Sequence, residues 1–184
     1  MHRVVLQVGM TVDGYIAELE GNLGANFVPE DEAVIQWKLR SLAGVSTHIM
    51  GRKTYVEMAS FWPTATGRYA APMNDKPKVV FSSSLRSADW PESRIADGDL
   101  TEEIEKLKHE PGDGDIMAFG GAMFAQALAR HNLIDEYRLV IRPAALGAGR
   151  PLFKDLAKPL QLTLTSSESF ADDTVINVYR PVTP

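Results

Sequence analysis

Residues 116–129 read IMAFGGAMFAQALA, and this stretch limits the possible folds more tightly than the rest of the chain. Four apolar residues, Ile116, Met117, Ala118 and Phe119, run into Gly120 and Gly121. Ala122, Met123, Phe124 and Leu128 then open a helical pattern. An all-apolar run this short suits a strand buried on both faces, and so a central place in a sheet. A glycine pair between such a strand and a helix lets the backbone turn sharply and lets a ligand approach where no Cβ intrudes. The free N–H groups and positive dipole end of the helix that follows form a seat for phosphate. A lone Gly-Gly is also a plain strand-to-helix turn, so the weight falls on what else reaches the same edge.

Two more junctions of this kind occur. Residues 47–50 form a short strand that enters Gly51, Arg52, Lys53 and Thr54, with a helix following through Met58. Residues 78–81, KVVF, form a third buried strand that ends in Ser82, Ser83 and Ser84. In an open, mostly parallel sheet the strand C-termini share an edge, and ligands bind there. If these strands are parallel neighbours, the three junctions make one phosphate-binding rim. Arg52 supplies a planar fork suited to phosphate, and Thr54 and the serines supply hydroxyls. Each piece alone has a plainer reading: Arg52 and Lys53 as solvated charges, the serines as a loop.

The remaining chain reads as alternating strands and helices followed by a strand-rich end. Residues 3–8 suggest a central first strand, followed by a long glycine-punctuated loop containing Asp13 and Gly14. Pro29, Glu30 and Asp31 look like a helix start, with Ile35, Leu39 and Leu42 on one face and an end near Gly44. Residues 63–77 read as loop, and residues 94–96 as a weak strand. Asp99 with Glu102 gives a capping-box-like start to a helix over residues 100–109. Residues 136–141, 160–164 and 174–179 read as strands, the last two antiparallel across an Asp172-Asp173 turn with one face wet.

The 184 residues fit one domain with a proper core, and 45% hydrophobic with 23% charged residues is an ordinary globular balance. A net charge of −5 argues against a general nucleic-acid binder but not against a small anion held by local N–H groups. The absence of cysteine excludes disulfides, thiolate nucleophiles and cysteine zinc sites. The four histidines show no ligand spacing, so no metal is expected. The N-terminus MHRVVLQVG lacks a signal-peptide layout and no apolar run nears membrane-spanning length, so a cytoplasmic protein is expected.

The segments THIMGRKTY, KVVFSSSL and MAFGGAMF occur in the order and chemistry of the dihydrofolate reductase fold, and MTVDGYIA resembles its first strand and active-site loop. LIDEYRLVIRPAALGAGRPLF is closer to the reductase domain of the bifunctional riboflavin-biosynthesis deaminase–reductase and its stand-alone relatives. The resemblance runs from Val4 to Tyr179. It implies a three-layer α/β/α domain over residues 1–184, with a mostly parallel sheet ending in an antiparallel C-terminal hairpin. It also implies NADPH and a homodimer. Carried over by motif, Gly51, Arg52 and Thr54 would meet the pyrophosphate and 2′-phosphate, and Ser82 and Ser83 the 2′-phosphate and adenosine ribose. Lys53 and Ser84 complete those two junctions. Leu85 would lie against adenine and Ile16 against nicotinamide. Gly120, Gly121, Ala122, Met123 and Phe124 would cradle the pyrophosphate, the glycine pair through a cis peptide.

The substrate side matches less well. Dihydrofolate reductases carry an acidic residue in the first helix, and ungapped counting from either side falls on Ile35 or Pro29. Asp31 and Glu32 lie between and are the candidate catalytic carboxylates, unless they are helix N-terminal charges favoured by the dipole. Trp37 and Trp62 are candidates to stack on a flat heterocycle, or else core residues. Three readings stand at this point. The first is a riboflavin-type reductase acting on a ribosylamino-pyrimidine. The second is a pteridine reductase, and the third a nucleotide-binding module without turnover.

Overall fold

In a computed structural model, which describes residues 1–20 and 30–182, the apolar runs become an eight-stranded sheet with helices on both faces. The elements follow in the order β1 (Val4–Thr11), β2 (Tyr15–Ala17), α1 (Glu32–Ala43), β3 (Val45–Gly51) and α2 (Arg52–Phe61). A 3-10 turn (Trp62–Thr64), α3 (Ala70–Asn74), β4 (Lys78–Phe81), β5 (Ser93–Ile95), α4 (Leu100–Lys108) and β6 (Asp115–Ala118) come next. The chain continues through α5 (Ala122–Arg130), β7 (Glu136–Arg142), β8 (Arg150–Pro151), β9 (Leu162–Ser169) and β10 (Val175–Pro181).

The sheet order is β5-β4-β3-β6-β1-β7-β10-β9, with parallel pairing from β5 to β7 and antiparallel pairing of β10 with both β7 and β9. Strand alternation sends β1 residues to opposite layers. Val4 and Leu6 pack with Ile104 and Leu107 of α4 and with Ala125 and Leu128 of α5. Val5 packs with Leu42 of α1, Tyr55 of α2 and Met73 of α3 on the other face. The β6 run is buried throughout at Ile116, Met117 and Ala118, as its composition requires of an interior strand.

The structure corrects several boundaries and one peptide. The loop expected over residues 63–77 contains α3, whose five residues are too few to leave a periodic signal. The strand expected at residues 160–164 starts at Leu162 and runs on to Ser169. No described peptide bond is cis, so Gly120–Gly121 is trans, and the turn is made by Gly121 at φ 100°. The small sheet of β2 with β8 left no sequence signal because both strands are so short.

Two buried basic side chains, a neutral imidazole and a lysine, sit side by side where β3 meets β4, since His48 and Lys78 are register partners. Lys78 is fully buried, and its Nζ donates to the carbonyls of Asn74 at 2.7 Å, Lys76 at 2.8 Å and Pro91 at 3.0 Å. The same Nζ lies 4.5 Å from the centre of the Trp90 ring, so three acceptors and a π face replace its water. His48 Nε2 donates to the Pro72 carbonyl at 2.9 Å, which leaves Nδ1 as a buried acceptor with no partner among the described residues. Burial, and then the nearby lysine charge, push the His48 pKa down to about 4.

Lys78→Met keeps the length of the side chain and removes all three donors. It is expected to lower unfolding stability by roughly 3 kcal/mol in urea titrations, since each carbonyl loses its hydrogen bond. For His48 the folded pKa lies below the unfolded one. The unfolded chain therefore takes up a proton first, and stability falls as the pH drops from about 6.5 to about 4. His48→Gln, which retains a donor for Pro72, is expected to flatten that acid limb by one proton.

Candidate functional site

Strands β4, β3 and β6 are adjacent and parallel, so their three junctions leave the sheet along one edge. Gly51 is in register with Phe81, and Ile49 with Ala118. Ser82, Arg52 and Phe119-Gly120 therefore emerge side by side, which is the arrangement the rim requires.

Phe124 lies beneath the rim and touches two of its parts. Its ring is 5.2 Å from that of Phe81, and a Cβ placed on Gly51 would come within 3.3 Å of its own Cβ. The β3 and β6 junctions are tied directly. Thr54 Oγ1 donates to the Gly120 carbonyl at 2.5 Å, and a Cβ on Gly121 would lie 2.6 Å from that same oxygen. With φ at 100° and this contact, position 121 excludes any side chain on two separate grounds. The Thr54 proton is thus already used, and its observed contact is with the glycine pair.

Among the described helices of nine residues or more, the caps divide into two kinds, while the five-residue α3 also starts without a side-chain cap. α1 and α4 are capped by Asp31 and Asp99, and they carry Glu32 and Glu102 with Glu103 in their first turns. The helices that start at the rim, α2 and α5, are capped by Gly51 and Gly121, with no side-chain cap and no acid in the first turn. Their first-turn N–H groups thus keep their positive field unneutralised. Arg52 and Lys53 are exposed beside them and have no ion-pair partner among the described residues. At the third junction, Ser82 Oγ accepts from the amides of Ser84 at 3.2 Å and Leu85 at 2.9 Å. That turn leaves the Ser82 hydroxyl proton free to be donated. Ser83 and Ser84 are exposed, and Leu85 is half-buried against the α2–α3 cluster. Ala122 is half-buried and Met123 is 74% exposed.

The other candidates fall elsewhere. Asp31 caps α1 by accepting from the Ala33 amide at 2.7 Å, and its own amide donates to Asp172. Glu32 is 63% exposed, forms a forked pair with Arg68, and accepts from Gln36 at 2.8 Å. Arg68, with Gln36, holds the Glu32 carboxyl below its usual range, so it stays ionised near neutral pH. Trp37 packs near Val34, Val140 and Ile176 and donates to Glu168 of β9 at 3.1 Å. Trp62 packs in the α2–α3 cluster, edge-on to Phe61 at 4.9 Å. The two tryptophans are therefore in separate clusters. Ile16 is 8% exposed in β2, within the core cluster of α4 and α5. Part of the long opening loop, residues 21–29, lies outside the described residues, and with it Pro29 of the expected helix start.

Sequence reasoning missed how the opening loop is held. The Asp13 carboxylate accepts from Thr11 Oγ1 at 2.5 Å and from the amides of Leu146 at 3.1 Å and Gly147 at 2.8 Å. The Thr11 hydroxyl, and then the Gly147 amide, hold its pKa below the usual value. Arg150 of β8 donates to the Leu19 carbonyl at 2.9 Å. A Cβ on Gly149 would fall 2.7 Å from the Ala17 carbonyl, so the two loops touch through backbone. The Asp13-Gly14 pair was the available signal, but it reads equally as a turn.

A family model described as the RibD C-terminal domain matches residues 2–176. YyaP of Bacillus subtilis (strain 168), an uncharacterized protein, is 29% identical over 183 residues, covering 97% of this chain and 94% of its own. A putative riboflavin biosynthesis protein from Shewanella sp. PV-4 superposes with a TM-score of 0.79 at 26% identity, with both chains covered in full. The Thermotoga maritima diaminohydroxyphosphoribosylaminopyrimidine deaminase/5-amino-6-(5-phosphoribosylamino)uracil reductase shares the fold. Its TM-score is 0.68 at 17% identity, over 98% of this chain and 57% of that one. From the match along nearly its whole length and from the shared fold, the chain belongs to the RibD C-terminal domain family, the reductase domain of riboflavin biosynthesis.

Proposed function

We propose that the protein is an NADPH-dependent reductase that passes hydride to a heterocyclic or ribosylamino-pyrimidine small molecule. The observation that carries this reading is the rim: a cationic, a serine-rich and a glycine-pair junction on adjacent parallel strands, two of them opening uncapped helices. A cofactor with a pyrophosphate and a separate 2′-phosphate matches such an edge, whereas a single phosphate would need one junction. Family membership and the reductase activity of the Thermotoga neighbour support the reaction class.

In this reading the amides of Ala122 and Met123 face the pyrophosphate, and Thr54 positions the glycine pair through the Gly120 carbonyl. Arg52 and Lys53 supply charge to the phosphates. The free proton of Ser82, with Ser83 and Ser84, serves the 2′-phosphate and ribose, and Leu85 supports the adenine. Ile16 stands on the nicotinamide side. The cofactor supplies the hydride, and the protein orients the two partners and keeps water out. Asp31 and Glu32 are held as cap and ion-pair partner, so support for a pteridine-reading carboxylate does not come from α1.

Titration followed by nicotinamide fluorescence is expected to give tighter binding of NADPH than of NADH. Arg52→Ala should weaken NADPH by about tenfold or more, the scale of one charge-assisted hydrogen bond. Failure of both cofactors to bind at millimolar concentration would overturn the reading. Gly121→Ala pushes a methyl group against the Thr54 hydroxyl and strains the backbone. A thermal melt and the same titration should show both lower stability, by roughly 1–3 kcal/mol, and weaker NADPH binding.

A further inference from the structure

The end of the sheet away from the rim holds a cavity of about 1090 Å³. Its walls come from segments that meet there: residues 1–3 before β1, the last residues of α4 and α5, residues 156–161, and the end of β10. Backbone hydrogen bonds pin these walls together. The His2 amide donates to the Lys108 carbonyl at 2.9 Å, the Asp135 amide to Val4 at 2.8 Å, and the Val182 amide to Gln161 at 2.9 Å. The shape of the cavity is therefore set by the fold itself.

The cavity joins two chemistries. Its floor is apolar: Ile134 is 2% exposed, and Leu156 and Leu160 are half-buried against the core cluster of α4 and α5. Its edge is cationic, although the chain as a whole carries −5. Arg3, Lys108, Arg130, Lys158 and Arg180 line it against one carboxylate, Asp135. Three of these cations are engaged, Lys108 with Asp135 at 3.0 Å, and Arg3 and Arg180 with Glu136 at 3.2 Å and 2.9 Å. The side chains of Arg130 and Lys158 are exposed and have no ion-pair or hydrogen-bond partner among the described residues. A cation in the last turn of α5 complements the helix end, which gives Arg130 a structural reason to be there. Lys158 lies in no helix and on no strand, so that reason does not extend to it.

We propose that this cavity is a binding site for a phosphate monoester with an apolar body. Two unpaired cations on separate walls match the double negative charge that such a phosphate carries near neutral pH, whereas a carboxylate would leave one of them unmatched. The floor takes the apolar body. The volume is on the scale of pockets for drug-sized ligands, about 300–1,000 Å³, and exceeds what a bare phosphate requires. Strands β1 and β6 begin at this end and β6 reaches the rim at the other, so the site is separate from the rim and does not rest on the reductase reading.

The test uses the intact protein and three probes: 1-naphthyl phosphate, inorganic phosphate and 1-naphthol. Amide chemical-shift titrations give both affinity and place. 1-Naphthyl phosphate should bind at least roughly tenfold more tightly than either half alone, because charge pairing and apolar burial then act together. The shifted amides should fall within residues 130–135, 156–161 and 180–182. The double variant Arg130→Gln/Lys158→Gln keeps both side chains long. It should weaken 1-naphthyl phosphate about tenfold or more, with the melting temperature and the NADPH titration unchanged. Arg52→Ala, on the rim, should leave the affinity read at these amides as it was. Undiminished affinity in the double variant, shifts confined to the rim or another surface, 1-naphthyl phosphate no tighter than phosphate or 1-naphthol, or no binding at millimolar concentration would each overturn the proposal.

Discussion

The Thr54 hydroxyl on the Gly120 carbonyl is the contact on which the site depends. It joins the β3–α2 and β6–α5 junctions, and it fills the space that a side chain at position 121 would need. Once that contact is set, Gly121 takes a positive φ, α5 starts without a cap, and Phe124 drops beneath the rim against Gly51 and Phe81. The contrast with α1 and α4 makes the point in energetic terms. Those helices neutralise their first turns with Asp31 and Asp99 and with acidic neighbours, whereas α2 and α5 leave theirs positive. The chain forgoes about 1 kcal/mol of capping at each rim helix, and an anion is what that arrangement suits.

A second set of contacts holds the wall beside the rim. Asp13 gathers the Thr11 hydroxyl with the amides of Leu146 and Gly147, and Gly149 brings the β8 backbone against Ala17. The loop that follows β1 is therefore bound at its base to the loop after β7, although the two are far apart in sequence. At the far end, Glu30 is paired with both Lys38 and Arg142, and Asp172 accepts the Asp31 amide. This ties the start of α1 to the C-terminal hairpin. Between these anchored parts Gly9 of β1 is exposed, and a Cβ there would meet nothing within 4 Å among the described residues.

Legibility followed the physical range of each signal. Both ends of α5 could be read because an apolar period and a glycine boundary are local. The same holds for β4, where Lys78 to Phe81 are bounded by proline and serine. The neighbour relation of β4, β3 and β6 was conditional in the sequence and rested on the rule for open parallel sheets. Lys78 looks like a surface lysine at a strand edge, since nothing nearby announces three carbonyls around its ammonium. Gln7, Ser41 and Arg138, joined by hydrogen bonds, are also invisible as a set. Their links span 34 and 97 positions, and only the β1–β7 register with α1 above it brings them together. The tryptophans were legible as aromatic surface but not as members of different clusters.

Amide hydrogen exchange with and without NADPH tests the central claim most directly, because it reads the whole rim at once. The account predicts added protection together at the three junctions: residues 51–54, 82–85 and 120–124. The hairpin of β9 and β10, which lies off the rim, should stay unchanged. Protection at one junction alone, or at none while NADPH is bound, would contradict a cofactor seated along the edge of β4, β3 and β6.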